Sequence, residues 1–262
     1  MTNYKFIKKY KFIIIIIIVI LIFYTIIAYY KKNIIDYYDN INKYTAIIIE
    51  PRSHKALELV LTNFLENLSD EWNIIIMHGN NNITYINNII NSNLTQYKNR
   101  IKMINLNINN LSIKEYNNLL LSESLYEKIP TEIFLIFQTD SIICESNKDY
   151  INNFLEYDYV GAPWIDHQEV GNGGLSLRRK SKMIEKIKNC KYSGNAEDLF
   201  FSDNNCYPLN KPTVDEAKNF SIETIYNDKS FGVHKPWLYL KDDIDNLKKN
   251  CKNLDKLIEF NK

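Results

Sequence analysis

At 262 residues, with 32 lysines and arginines set against 31 aspartates and glutamates, the chain has a net charge of +1 and its acids and bases are interspersed. That balance offers no basic field for a nucleic-acid partner, so none is expected. The four cysteines, Cys144, Cys190, Cys206 and Cys251, show neither CxxC nor zinc-ribbon spacing, which argues against a metal–thiolate centre and leaves one or two disulfides and buried free thiols both open.

Residues 1–11 form a short basic tail with Lys5, Lys8, Lys9 and Lys11. Residues 12–30 are uncharged and almost wholly apolar, which predicts one transmembrane signal-anchor helix. The preceding lysines predict a cytoplasmic amino terminus and a large domain on the lumenal or exterior side, giving a single-pass membrane protein. Residues 31–43 read as a polar stem, and residues 44–262 as one domain with room for a real core. Asn-x-Ser/Thr sequons begin at Asn67, Asn82, Asn93, Asn110 and Asn219. In so Asn-rich a chain they support a lumenal domain only weakly.

Within the domain, Tyr44–Ile49 reads as a buried strand. It ends at Glu50-Pro51-Arg52, ahead of a helix whose stripe is Leu57, Val60, Leu61, Phe64, Leu65 and Leu68. Strands are predicted again at 72–77 and 101–106, with a weaker helix over 84–90 between them. Ser112 and Glu115 carry a capping-box pattern for the next helix. The stretch from Glu132 to Ile143 is apolar on both alternating faces and then turns polar at Gln138-Thr139-Asp140, which predicts a central strand ending in a site. A period of two would point Gln138 and Asp140 the same way and Thr139 the other. Alternating strands and helices imply right-handed crossovers, a mostly parallel sheet and a Rossmann-like α/β domain. There is no GxGxxG turn and no GxxxxGK[ST] loop, so neither a dinucleotide fingerprint nor a P-loop is supported. Arg52, in the first strand-to-helix loop, is a candidate for a nucleotide or its phosphates.

Six of the seven glycines lie between Gly161 and Gly232, as though this half lets backbone approach a ligand closely. Tyr159-Val-Gly-Ala-Pro-Trp164 offers a Trp able to stack on a sugar face. Gly173-Gly174 lies in a second Gly-rich turn, before a short strand at 175–177 and a helix bearing Met183, Ile184 and Ile187. Glu197-Asp198 opens a further helix, where acids also suit the amino-terminal dipole. His234 sits in Phe231-Gly-Val-His-Lys-Pro-Trp237, and an amphipathic helix through Ile244, Leu247, Cys251, Leu254 and Ile258 closes the chain.

The order of these pieces resembles glycosyltransferases of the GT-A fold. The closer resemblance, over about residues 44–238, is to a glycosyltransferase-like family of unassigned function found in bacteria, algae and large DNA viruses. It is carried by Glu-Pro-Arg, Phe-Gln-Thr-Asp-Ser, Val-Gly-Ala-Pro-Trp, Gly-Asn-Gly-Gly-Leu-Ser-Leu-Arg, Glu-Asp and His-Lys-Pro-Trp. The resemblance implies a single GT-A-type domain and a hexosyltransferase-like enzyme, which the apolar run at 12–30 would anchor in a membrane. Such an enzyme moves a sugar from a nucleotide-sugar donor to the hydroxyl of a glycan or glycoprotein acceptor.

Carried over by motif, Asp140 and His234 would hold Mn²⁺ or Mg²⁺. Arg52, Gln138, Thr139, Asp140 and Lys235 would meet the donor, Trp164, Gly173 and Gly174 the acceptor, and Asp198 or Glu197 would be the base. Arg178 and Arg179 are further candidates for phosphate contact. Gln138 departs from the pattern, because it stands where many GT-A enzymes have the first aspartate, and a neutral amide is a poorer ligand for a hard cation. That departure motivates the alternative of a non-catalytic sugar-binding or structural membrane protein that retains the fold.

Overall fold

The computed structural model describes residues 17–29, 43–166 and 169–262. The chain divides into a unit of residues 1–42 and a unit of residues 43–262. In the first, residues 17–29 are helical. Among the described residues no helix is long and apolar enough to cross a membrane. The expected anchor over 12–30 is corrected on this ground, and with it the single-pass arrangement, the membrane as a partner and the lumenal placement. The basic tail at 1–11, residues 12–16 and 30 of the expected anchor, and residues 31–42 of the expected stem lie outside the described residues.

The second unit begins with strand β1 (Tyr44–Ile49), helix α1 (Leu57–Asn67), β2 (Trp72–His78), α2 (Ile83–Ser92) and β3 (Ile101–Asn105). Next come α3 (Ile113–Leu120), α4 (Glu123–Tyr126), β4 (Ile133–Phe137), β5 (Ser141–Ile143) and β6 (Tyr159–Val160). The remainder is β7 (Leu175–Arg179), α5 (Lys180–Asn189), α6 (Glu197–Ser202), α7 (Val214–Ala217), β8 (Ser221–Ile222), β9 (Gly232–His234), α8 (Ile244–Asn250) and α9 (Leu254–Phe260).

Six strands form one sheet in the order β3-β2-β1-β4-β7-β6, and β5-β9-β8 form a smaller one. Alternate residues of the central strands feed two cores, as a period of two requires. Ala46, Ile48, Ile74 and Ile76 pack with the α1 stripe, whereas Ile47, Ile75, Phe134 and Ile136 face Leu120, Leu125 and Tyr126. The Phe64 and Phe137 rings stack at 3.9 Å, tying α1 to the end of β4. Each such buried side chain contributes about 1.5–3 kcal/mol. The capping box is formed, with Ser112 accepting from Glu115 N and the Glu115 carboxylate from Ser112 N.

Three expectations are corrected by geometry. The sheet is mixed: β1 pairs parallel with β2 and β4, and β2 with β3, but β7 runs antiparallel to both β4 and β6. Gln138, Thr139 and Asp140 lie past the end of β4 in a turn closed by Ser141 N donating to Gln138 O at 3.1 Å, so strand alternation does not set their directions. The closing helix is two helices, parted at Asn253 with φ 68°, a left-handed conformation that Asn tolerates better than most residues. The cysteines pair as Cys144–Cys251 and Cys190–Cys206.

Candidate active site

A cavity of about 430 Å³ opens at the carboxyl ends of β1 and β4, where open α/β sheets bind ligands. Past β1, the buried Glu50 accepts from Arg52 N and Nε at 2.8 Å on one oxygen and from an Arg52 terminal nitrogen at 2.8 Å on the other. Asn82 staples this loop, its amide donating to Glu50 O and Arg52 O at 2.8 and 2.9 Å. Its own oxygen accepts from Gly79 N at 3.0 Å, so this sequon, 1% exposed, has a structural job. Arg52 is thereby presented on the cavity wall as a half-oriented guanidinium.

Past β4, Gln138 donates to the Tyr116 hydroxyl at 3.0 Å, which occupies its amide nitrogen with the protein. Ser141 is paired with His234 across the β5–β9 ladder, and that register brings the His234 ring to Asp140. His234 Nε2 stands 3.3 Å from Asp140 Oδ1, and Nδ1 stands 3.2 Å from an oxygen of Glu223. These are charge contacts, since Asp140 Oδ1 and both ring nitrogens are buried without a well-directed hydrogen bond. Burial works against a charge on His234, but Asp140 and Glu223 outweigh it and raise its pKa to about 9. Burial likewise opposes ionisation of Asp140, and His234 and Lys235 outweigh it, holding the carboxyl below its usual value. Lys235, at φ 35°, donates its amide to Asp140 O at 2.9 Å and brings its ammonium to 3.6 Å from Glu223.

The Gly173–Gly174 turn joins this group to the acidic helix. Gly173 N donates to Asp198 Oδ2 at 3.2 Å, and a Cβ on Gly174 would collide with the His234 ring. Only hydrogen fits there. Glu197 and Asp198 differ sharply: Glu197 is 4% exposed and takes two hydrogen bonds from Arg178 at 2.9 and 3.0 Å, whereas Asp198 is half-buried on the wall. Burial raises the Glu197 pKa and Arg178 only partly offsets it. Arg178 is itself fully buried over the rings of Tyr159 and Phe201.

Of the residues expected from sequence, Arg52, Gln138, Thr139, Asp140, Gly173, Gly174, Glu197, Asp198, His234 and Lys235 line one cavity. Trp164 and Arg179 do not. Trp164 follows Pro163, which makes an isolated bridge to Val170, and donates its amide to Glu169 O at 3.1 Å; Arg179 pairs with Asp158 at 3.2 Å. Arg178 is committed to Glu197 and is not available for phosphate. Sequence reading missed Glu50's role as the clamp on Arg52, and missed Glu223 altogether. Glu223 follows the two-residue β8, too short a strand to show that an acid beside it is buried.

Among the described residues no group of three or more His, Cys, Asp or Glu side chains is arranged to hold a metal. Two protein ligands nevertheless fit a cation that takes its others from a ligand or water. Neighbouring ligands of an octahedral ion at about 2.1 Å lie roughly 3.0 Å apart, close to the 3.3 Å between Asp140 Oδ1 and His234 Nε2. Both atoms are buried without a well-directed partner.

A search of the curated proteins finds no match. Solved structures resembling the chain include HddC from Yersinia pseudotuberculosis, at 13% identity and TM-score 0.45 over 79% of this chain and 99% of that one. TarS 1-349 from S. aureus, solved in complex with UDP-GlcNAc, is similar at 15% identity and TM-score 0.44, over 73% of this chain and 58% of that one. The apo-form glycosyltransferase GlyE from Streptococcus pneumoniae TIGR4 is similar at 10% identity and TM-score 0.48, over 74% and 54%. A family profile matches residues 100–234. That match runs from the start of β3 to His234 and takes in more than half of the chain, which therefore belongs to the family described as "Protein of unknown function (DUF5672)".

Proposed function

We propose that the chain is a glycosyltransferase that takes a sugar from a nucleotide-sugar donor to an acceptor hydroxyl. One observation carries the reading: the two-residue Gly173–Gly174 turn sets Asp198 on one side and the Asp140–His234 pair on the other within a single cavity. The reaction needs two such sites, a place for the leaving diphosphate and a carboxylate to take the acceptor's proton.

Asp140 and His234 would hold Mn²⁺ or Mg²⁺, which when bound supplies positive charge to the departing diphosphate. Lys235 and Arg52 add fixed positive charge on the same wall. Gln138 and Thr139 line the donor side, with Gln138's carbonyl the weak neutral contact its position implies. Asp198 is the base, because Glu197 is buried and ion-paired with Arg178, whereas Asp198 stands on the cavity wall with only main-chain amides at its oxygens. Gly173 and Gly174, whose missing Cβ atoms make room for Glu197 and the His234 ring, would meet the acceptor with their main chain on the cavity wall.

The test is a panel of nucleotide-sugars incubated with the full chain, with and without Mn²⁺, assayed for release of the nucleotide. Turnover of at least one donor that Asp198→Asn removes is the expected result. Saturable donor binding with no turnover would make the protein a sugar-binding module. Absence of both would overturn the reading.

A further inference from the structure

The peptide that carries Asp140 is held by parts of the chain far from it. Asn261 donates its side-chain amide to Thr139 O at 3.0 Å, across 122 residues, and to Leu257 O of its own helix at 2.9 Å. The same amide thus caps α9 and grips the carbonyl just before Asp140. Four residues further on, Cys144 is bonded to Cys251, between α8 and α9. Asn63 of α1 completes the grip on β5, donating to Ile143 O at 3.0 Å and accepting from Ile143 N at 2.7 Å. The α8–α9 pair is itself anchored in the core by Leu247, Cys251, Leu254 and Leu257, each at most 1% exposed.

The consequence follows from the turn's own weakness. Thr139 and Asp140 lie between two strands, outside any ladder, with one local hydrogen bond closing the turn. A peptide plane is fixed when its carbonyl is fixed, and the plane between Thr139 and Asp140 sets where the Asp140 carboxylate leaves the main chain. We infer that Asn261 is a positioning residue for Asp140, and that the α8–α9 pair, locked by the Cys144–Cys251 disulfide, is a brace for the Asp140–His234 site. The functional consequence rests on the glycosyltransferase reading; the positional one does not. Opening the disulfide or removing the Asn261 amide frees the turn while the parallel strands β1, β2 and β3, held by their own ladders, stay intact.

Amide hydrogen exchange on the full chain, read by NMR for wild type, Asn261→Asp, Asn261→Ala and Cys251→Ser, tests this. Asn261→Asp keeps the shape of the side chain and loses both donors. The expected result is exchange at least tenfold faster at Ser141 N–H and Lys235 N–H, whose acceptors are Gln138 O and Asp140 O, with Ile74–Met77 of β2 unchanged. A donor KM raised severalfold with kcat less affected should accompany it in any assay that turns over. Unchanged exchange at Ser141 and Lys235 in both Asn261 variants would overturn the proposal, as would an equal rise throughout the strands, which marks a general stabiliser. Cys251→Ser is informative only if it folds; the Asn261 variants decide without it. If no nucleotide-sugar is turned over by wild type, the function fails while the exchange data still judge the brace.

Discussion

Glu197 and Asp198 stand side by side at the start of α6, yet the first is 4% exposed and clamped by Arg178 while the second is half-buried on the cavity wall. Removing each should therefore fail differently. Asp198→Asn removes the proton acceptor and leaves one oxygen to accept from Gly173 N or Leu199 N, so the transfer rate should fall by about 10²–10⁴-fold while donor affinity stays within a fewfold of wild type. Equal transfer rates would reassign the base. Glu197→Gln instead leaves a buried guanidinium facing a neutral amide, and breaking a buried pair costs roughly 3–5 kcal/mol. Its mark should be a lower urea midpoint, with surviving activity per folded molecule. A Glu197→Gln protein as stable as wild type but inactive would return the catalytic role to Glu197.

At the scale of elements, what could be read from sequence follows how local the signal is. The runs of β1, β2 and β4 are apolar on both faces, the α1 stripe is long, and the Ser112–Glu115 box is self-contained, so each was legible where it stands. The Asp140, Gly173-Gly174, Asp198 and His234 group was legible as an order of short motifs. Its closeness depends on β5 pairing with β9, three residues each, and strands so short carry no periodic signal. The strand expected at 175–177 is there as β7, but its antiparallel direction was missed for the same reason: nothing in Leu175–Arg179 says which neighbour it will choose.

The Gly173–Gly174 turn is the element whose role can be tested most directly. Gly174→Ala puts a Cβ into the His234 ring, and overpacking of this kind costs about 1–3 kcal/mol, relieved by moving the ring off Asp140. Calorimetry should show Mn²⁺ and donor binding cooperatively in wild type, with Mn²⁺ more effective than Ca²⁺ because imidazole suits it better. Gly174→Ala, Asp140→Ala and His234→Ala should each remove the metal-dependent part. Undiminished Mn²⁺-dependent binding in all three would rule out the site.

Across the whole molecule, the buried Asp140–His234–Glu223 group links the small sheet, the end of β4 and the C-terminal brace, so its protonation state should be visible in global stability. With no metal bound, His234 is raised to about 9 because Asp140 and Glu223 outweigh burial, against roughly 6.5 in an unfolded chain. A raised histidine stabilises the fold fully below its unfolded value, and that contribution is lost as pH rises through the folded value. Asp140 acts in the opposite direction: lowered in the fold, it stabilises above its unfolded value of roughly 3.9 and is lost in acid. Asp140, Glu223 and Lys235 stand around the ring, and Glu50, Arg52, Glu197 and Asp198 line the same cavity, so no single partner accounts for the effect. Unfolding by urea in chelator, at pH 6 and pH 9, should show wild type losing up to ~3 kcal/mol of its advantage over His234→Gln between the two. A wild-type advantage of the same size at both values would show that His234 enters the fold uncharged, and the contacts to Asp140 and Glu223 would then have to be reassigned as packing.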